Sequence, residues 1–216
     1  MNKYLPAFMS LKAIQPYFDV TSKDILQRLL FAFMFWNGKF YSEYHTKPDL
    51  YGPFWVLTTL IAMLFISGNV YRYIEWPDDS DEEFSYSFSV IPIAAGIIYG
   101  IGVGLPLLMK VMLNLYGTGE QREGVASVLS AIGIYGYSFT PFIIMSMFCG
   151  ILPFDWAHWV LIVLSGVASF GFLWKNYWND FKENLDSKLR WVAVGVICTV
   201  QVILLLLFKF YFFAAH

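Results

Sequence analysis

The sequence predicts an all-α integral membrane protein, a bundle of five transmembrane helices preceded by a short cytosolic amphipathic helix. Three observations carry this prediction. First, the 216 residues are 58% hydrophobic and 20% aromatic with only 14% charged, against roughly 45–50% apolar in a soluble domain, so the excess must be buried in lipid. Second, five apolar runs, about 53–74, 89–112, 125–148, 156–174 and 191–213, each approach the ~20 residues a helix needs to cross hydrocarbon. Third, basic residues are asymmetric. With the N-terminus on the cytosolic side, Lys3, Lys12, Lys23, Arg28, Lys39, Lys47, Lys110, Arg122, Lys175, Lys182, Lys188 and Arg190 share that side, leaving Arg72 and Lys209 at span ends opposite. The positive-inside rule then places the N-terminus in the cytosol and the C-terminus in the lumen.

The chain divides into a cytosolic N-terminal region, 1–52, and a membrane domain, 53–216. Residues 1–20, with Pro6 and Pro16 among scattered aromatics, suit an irregular arm near a surface. The longest apolar run of the first forty residues, Leu29 to Trp36, follows a stretch of mixed polarity, so no cleavable signal peptide is expected. From Thr21 the pattern Thr21-x-x-Asp24 reads as a capping box. Ile25, Leu26, Leu29, Leu30 and Phe33 recur at helical spacing, with Asp24, Gln27 and Arg28 on the other side. This predicts an amphipathic helix over about 22–36, too short to cross, lying on the membrane surface or in a groove between spans.

Asp49-Leu50-Tyr51-Gly52-Pro53-Phe54-Trp55 is where a charged segment turns into membrane. Pro53 suits the first turn of a helix, Gly52 permits a tight approach and Asp49 complements the positive helix end. In the second span Gly96, Gly100 and Gly104 repeat every four residues and predict close helix packing. Pro92 and Pro106 there, and Pro141 in the third span, predict bent helices. Tyr135-Gly136-Tyr137-Ser138, with Thr140, is the most polar intramembrane patch.

Catalysis and metal binding need ionisable groups converging at one depth, and the sequence offers none. His45, His158 and His216 are far apart and read as isolated interfacial histidines. The acidic run Asp78, Asp79, Asp81, Glu82 and Glu83 lacks EF-hand spacing and reads as a solvated lumenal loop. Cys149 and Cys198 fall in separate spans, so no disulfide is expected. No cofactor is implied, and without a strongly basic stretch neither is nucleic acid. Ser127, Ser130, Ser138, Thr199, Gln201 and Asn69 are uncharged and suit interhelical hydrogen bonds. A small transporter or channel-like protein is the alternative, favoured by the Gly-rich second span and Tyr-rich third, although five spans do not divide into repeated halves.

Taken with Gln15-Pro16-Tyr17-Phe18-Asp19-Val20, Asp24-Ile25-Leu26-Gln27-Arg28-Leu29 and Tyr135-Gly136-Tyr137-Ser138, the Asp49–Trp55 heptad resembles the Yip family of Golgi membrane proteins, the Ypt/Rab-interacting proteins. The Tyr51 version with Phe54-Trp55 is similar to the branch of the mammalian YIP-domain proteins one and two. The resemblance implies a non-enzymatic protein of the Golgi and early secretory pathway. It also implies binding of prenylated Rab GTPases, pairing with other family members, and contact with membrane lipids during vesicle-mediated transport. On that footing Asp49, Leu50, Tyr51, Gly52 and Pro53, with the amphipathic helix, are expected to form the cytosolic binding face, and Tyr135, Gly136 and Tyr137 to line an intramembrane groove. Relatives often carry a longer N-terminal extension, so contacts made through one are not carried over.

Overall fold

Hydropathy decides the architecture, and the computed structural model describes residues 15–34, 40, 44, 47–77, 83–117 and 125–213. Among these the chain is helical with no strand. After a short 3-10 turn at Gln15–Phe18, α1 runs over Ser22–Phe33, then α2 Tyr51–Ile74, α3 Val90–Tyr116, α4 Val125–Tyr137, α5 Thr140–Ile151, α6 Asp155–Asn184 and α7 Ser187–Leu207, which continues as a π-helical turn at Phe208–Phe212. Five helices are long and apolar enough to span, with α4 and α5 together forming the third. Residues 1–14, Lys39, His45, Arg122, His216 and all of the acidic run but Glu83 lie outside the described residues, as do 35 and 36 of the expected amphipathic helix.

The third span breaks at Ser138-Phe139, with Pro141 in the first turn of α5, where its missing N–H removes no helical bond. Pro92 likewise falls in the first turn of α3, while Pro106 lies inside an unbroken helix. The fourth span outruns its apolar stretch by ten residues, to Asn184. The reason is a continuing stripe at four-residue spacing: Leu173, Tyr177 and Phe181 are all buried, so packing carries the helix on after the hydropathy has ended.

The most extensive helix pair is α2 with α5, and α2 also packs on α3 and α4. The first and third spans run parallel: a Cβ on Gly136 would meet Pro53, and one on Gly150 would meet Ser67. The two free cysteines part, Cys149 buried and Cys198 exposed. Gln201 on α7 donates to Ser169 on α6 at 2.9 Å, one of the interhelical bonds its polarity suggested.

The glycine stripe corrects an expectation. Gly96, Gly100 and Gly104 have nothing within 4 Å of where a Cβ would stand, so among the described residues no other helix packs against them. Close approach instead occurs at glycines of α4, α5 and α6, where the spans cross one another tightly. His158, in the first turn of α6, is fully buried, edge-on to Tyr71 at 4.7 Å between ring centroids, with Nε2 2.8 Å from the Leu152 carbonyl.

Candidate functional site

At the N-terminus of α1, Thr21 and Asp24 form the capping box: the Asp24 amide donates to Thr21 Oγ1 at 3.3 Å and the Thr21 amide to the Asp24 carboxylate at 3.2 Å. These bonds satisfy two otherwise orphaned donors and hold the Asp24 carboxyl below its ordinary value of 3.8.

The orientation of α1 turns its apolar residues outward and its arginine toward the protein. Leu26, Leu30 and Phe33 are exposed, while Arg28 and Ala32 are buried. In water this would be backwards, but against hydrocarbon it is the favourable choice, because the aliphatic side chains meet lipid and the charge is taken into protein.

Arg28 ion-pairs with Asp49, both side chains almost fully buried, and its second guanidinium nitrogen donates to the Lys47 carbonyl at 2.6 Å. Asp49 is the hub of the site. Its carboxylate accepts from the Gly52 amide at 2.8 Å, capping α2, and from the Tyr137 hydroxyl at 3.1 Å to each oxygen. Its carbonyl accepts from the Tyr44 hydroxyl at 2.9 Å. Burial, aided by the Asp49 charge, pushes the Tyr44 phenol well above its usual value and keeps it a donor. A buried carboxylate that receives a guanidinium, a hydroxyl and an amide has its desolvation cost offset; one stripped of a partner does not.

Shape closes the cluster as tightly as charge. A Cβ on Gly52 would collide with the Tyr137 hydroxyl, one on Gly133 with Tyr44 and the Asp49 carbonyl, and one on Gly136 would stand 2.5 Å from Pro53 Cβ. Phe40 stacks on Tyr44 and meets Tyr137 edge-on at 5.4 Å. Thus the two motifs far apart in sequence, Asp49–Pro53 and Tyr135–Tyr137, are packing partners. Gly133 of α4 meets Asp49, and Lys110 on α3 and Lys175 on α6 fall near the same level by helix register.

This geometry corrects the expected site. Asp49, Gly52 and Pro53 are buried and present no open face. Tyr135, Gly136 and Tyr137 are buried too; Gly136 and Tyr137 meet the start of the first span, while Tyr135 packs edge-on to Phe139. Leu50 is half-buried. Only Tyr51 of the five is exposed, and it continues into Trp55 and Phe54, exposed by 49% and 48%, as one aromatic patch. Sequence reasoning included Arg28 in the expected face through its helix without pairing it to Asp49, and it missed Tyr44 and Gly133, for which the sequence carries no signal.

The Yip1 domain model matches residues 31–213, from the end of α1 through the last span. The chain belongs to the Yip1-domain family. It is similar to Protein YIPF1 homolog of Dictyostelium discoideum, 29% identical with 91% of this chain and 54% of that protein covered, so it spans about half that relative's length. It is also similar to Protein YIP5 of Schizosaccharomyces pombe, 28% identical over 90% of this chain and 79% of the relative. Protein YIP5 of Saccharomyces cerevisiae is 22% identical over 91% and 68%. No solved structure matches. The Yip1 match contains Asp49, Tyr44, Gly133 and Tyr137, and begins three residues after Arg28.

Proposed function

We propose that this multi-pass membrane protein acts without catalysis in the Golgi and early secretory pathway, binding prenylated Rab GTPases and other Yip-family proteins in vesicle-mediated transport. The observation that carries the proposal is the Yip1 domain match across residues 31–213. The charge asymmetry supports a cytosolic N-terminus and a lumenal C-terminus, which puts the start of the first span within a GTPase's reach.

Because Asp49, Gly52 and Pro53 are occupied in holding the fold, the contact surface centres on exposed Tyr51 and its neighbours Phe54 and Trp55. Aromatic groups at a membrane boundary bind both apolar and polar surfaces. A lipid chain alone anchors a GTPase only marginally, so a membrane receptor that adds protein contact raises its residence.

The test is recovery of prenylated and unprenylated Rab proteins by the wild type and by Tyr51→Ala/Trp55→Ala, in which both replaced side chains are exposed. Recovery of the prenylated form by the wild type, reduced in the variant, is expected. Equal recovery in all four combinations, with the variant folded, would refute the proposal.

A further inference from the structure

At the end of the first span opposite Asp49, the chain leaves α2 at Ile74 and the stretch leading into α3 returns along it. Buried Asn69 pins this return: its Oδ1 accepts from the Ser87 amide at 2.9 Å and from Arg72 at 2.6 Å, while its Nδ2 donates to the Phe65 carbonyl at 2.8 Å. Held in this way, Phe84 meets three rings edge-on. Tyr73 stands at 5.3 Å, Trp76 at 5.5 Å and Tyr86 at 5.3 Å between centroids, with interplanar angles of 82°, 84° and 89°. Tyr73, Trp76 and Tyr86 are all exposed.

Aromatic residues at a membrane boundary are ordinary; the charge around these is not. Ring faces are electron-rich and attract cations. Glu75 and Glu83 are exposed beside the rings in the sequence, and the link between them adds Asp78, Asp79, Asp81 and Glu82. Arg72, the nearest basic residue in the sequence, is turned onto Asn69. Among the described residues, the cation–ring contacts fall elsewhere, on Tyr44, Trp178 and Trp159. The four rings therefore form an acidic, electron-rich surface to which no lysine or arginine of the described chain is applied.

Position and chemistry select the cation. The apolar run of α2 ends at Ile74, so the rings stand at the level of lipid headgroups. A trimethylammonium group has no N–H to satisfy and is held by ring faces and nearby negative charge, whereas a primary ammonium carries three donors that ring faces leave without acceptors. We propose that Tyr73, Trp76 and Tyr86, gathered around Phe84, form a docking surface for the choline headgroup of phosphatidylcholine, whose trimethylammonium lies against the rings beside Glu75 and Glu83. This surface is independent of the GTPase reading, since it lies at the other end of the first span from Tyr51.

The test presents the immobilised full chain with detergent micelles holding equal amounts of phosphatidylcholine and phosphatidylethanolamine with identical acyl chains, and counts the retained lipids by mass spectrometry. The wild type should retain phosphatidylcholine about fivefold over phosphatidylethanolamine. Trp76→Ala/Tyr86→Ala, in which both replaced rings are exposed, should bring the two lipids to parity. Trp156→Ala, which removes an exposed ring at the same end but outside the cluster, should leave the preference intact. In the wild type, tetramethylammonium chloride should lower the preference where sodium chloride at the same concentration does not, a readout that needs no variant. Equal retention by the wild type, a preference undiminished in the folded double variant, an equal loss in Trp156→Ala, or displacement by a lysine peptide but not by tetramethylammonium would overturn the proposal, the last by marking a basic protein segment as the occupant.

Discussion

Two ion pairs hold the two ends of the bundle, and they differ in one respect. At the N-terminal end Arg28 and Asp49 are 5% and 0% exposed; at the C-terminal end Lys209 and Asp155 are 6% and 67% exposed. Both tie distant parts of the chain together, the first joining α1 to the start of α2, the second joining the π-helical turn to the start of α6. The first is sealed by Tyr44, Tyr137 and Gly52. The second leaves its carboxylate in water, with Lys209 also 5.9 Å from the Trp159 ring. The same chemistry is therefore a closed lock in one place and a half-open clasp in the other: losing either partner of the first strands a buried charge, whereas in the second only the loss of Asp155 does, because Lys209 is buried and Asp155 is not.

The largest effect should come from breaking the lock. Asp49→Ala or Arg28→Met leaves one buried charge unpaired and should cost about 3–5 kcal/mol, read as a lowered melting temperature and protease cleavage near α1. Glycines sharpen the contrast next. Gly136→Ala places a methyl 2.5 Å from Pro53 Cβ and should destabilise by about 1–3 kcal/mol. Gly100→Ala meets open space and should stabilise by about 0.5–1 kcal/mol, so thermal melts should move in opposite directions. Thr21→Ala removes the cap above the lock, at about 1 kcal/mol. Because the folded state lowers the Asp24 pKa below 3.8, the stability it adds is present above that value and is lost as pH falls through the lowered one. Melting of α1 followed by circular dichroism on acidification should show this loss in the wild type and not in Thr21→Ala. Lys209→Met should move the melt least of all, since the carboxylate it leaves behind already faces solvent.

The spans were legible in the sequence because hydropathy reports lipid directly. The extension of α6 past residue 174 was written in Leu173, Tyr177 and Phe181, but as a stripe rather than an apolar run. Helical period alone found α1 and set Arg28 opposite its apolar residues, yet which face turns inward depends on whether the solvent is water or hydrocarbon, so the period could not say that Arg28 is the buried side. The Gly96–Gly104 spacing permits close packing without providing a partner. Motif residues Asp49–Pro53 and Tyr135–Tyr137 stood out separately. That they meet, with Gly136 against Pro53 and Tyr137 against Gly52, is a tertiary fact that neither segment encodes by itself.

A double-mutant cycle on Arg28 and Asp49, read by reversible unfolding in detergent micelles, tests the lock most directly. Arg28→Met and Asp49→Leu should each be strongly destabilising while the double variant recovers most of the loss, giving a coupling energy above about 2 kcal/mol. Single-variant costs that add to within about 0.5 kcal/mol would mean that the pair does not join α1 to the membrane domain.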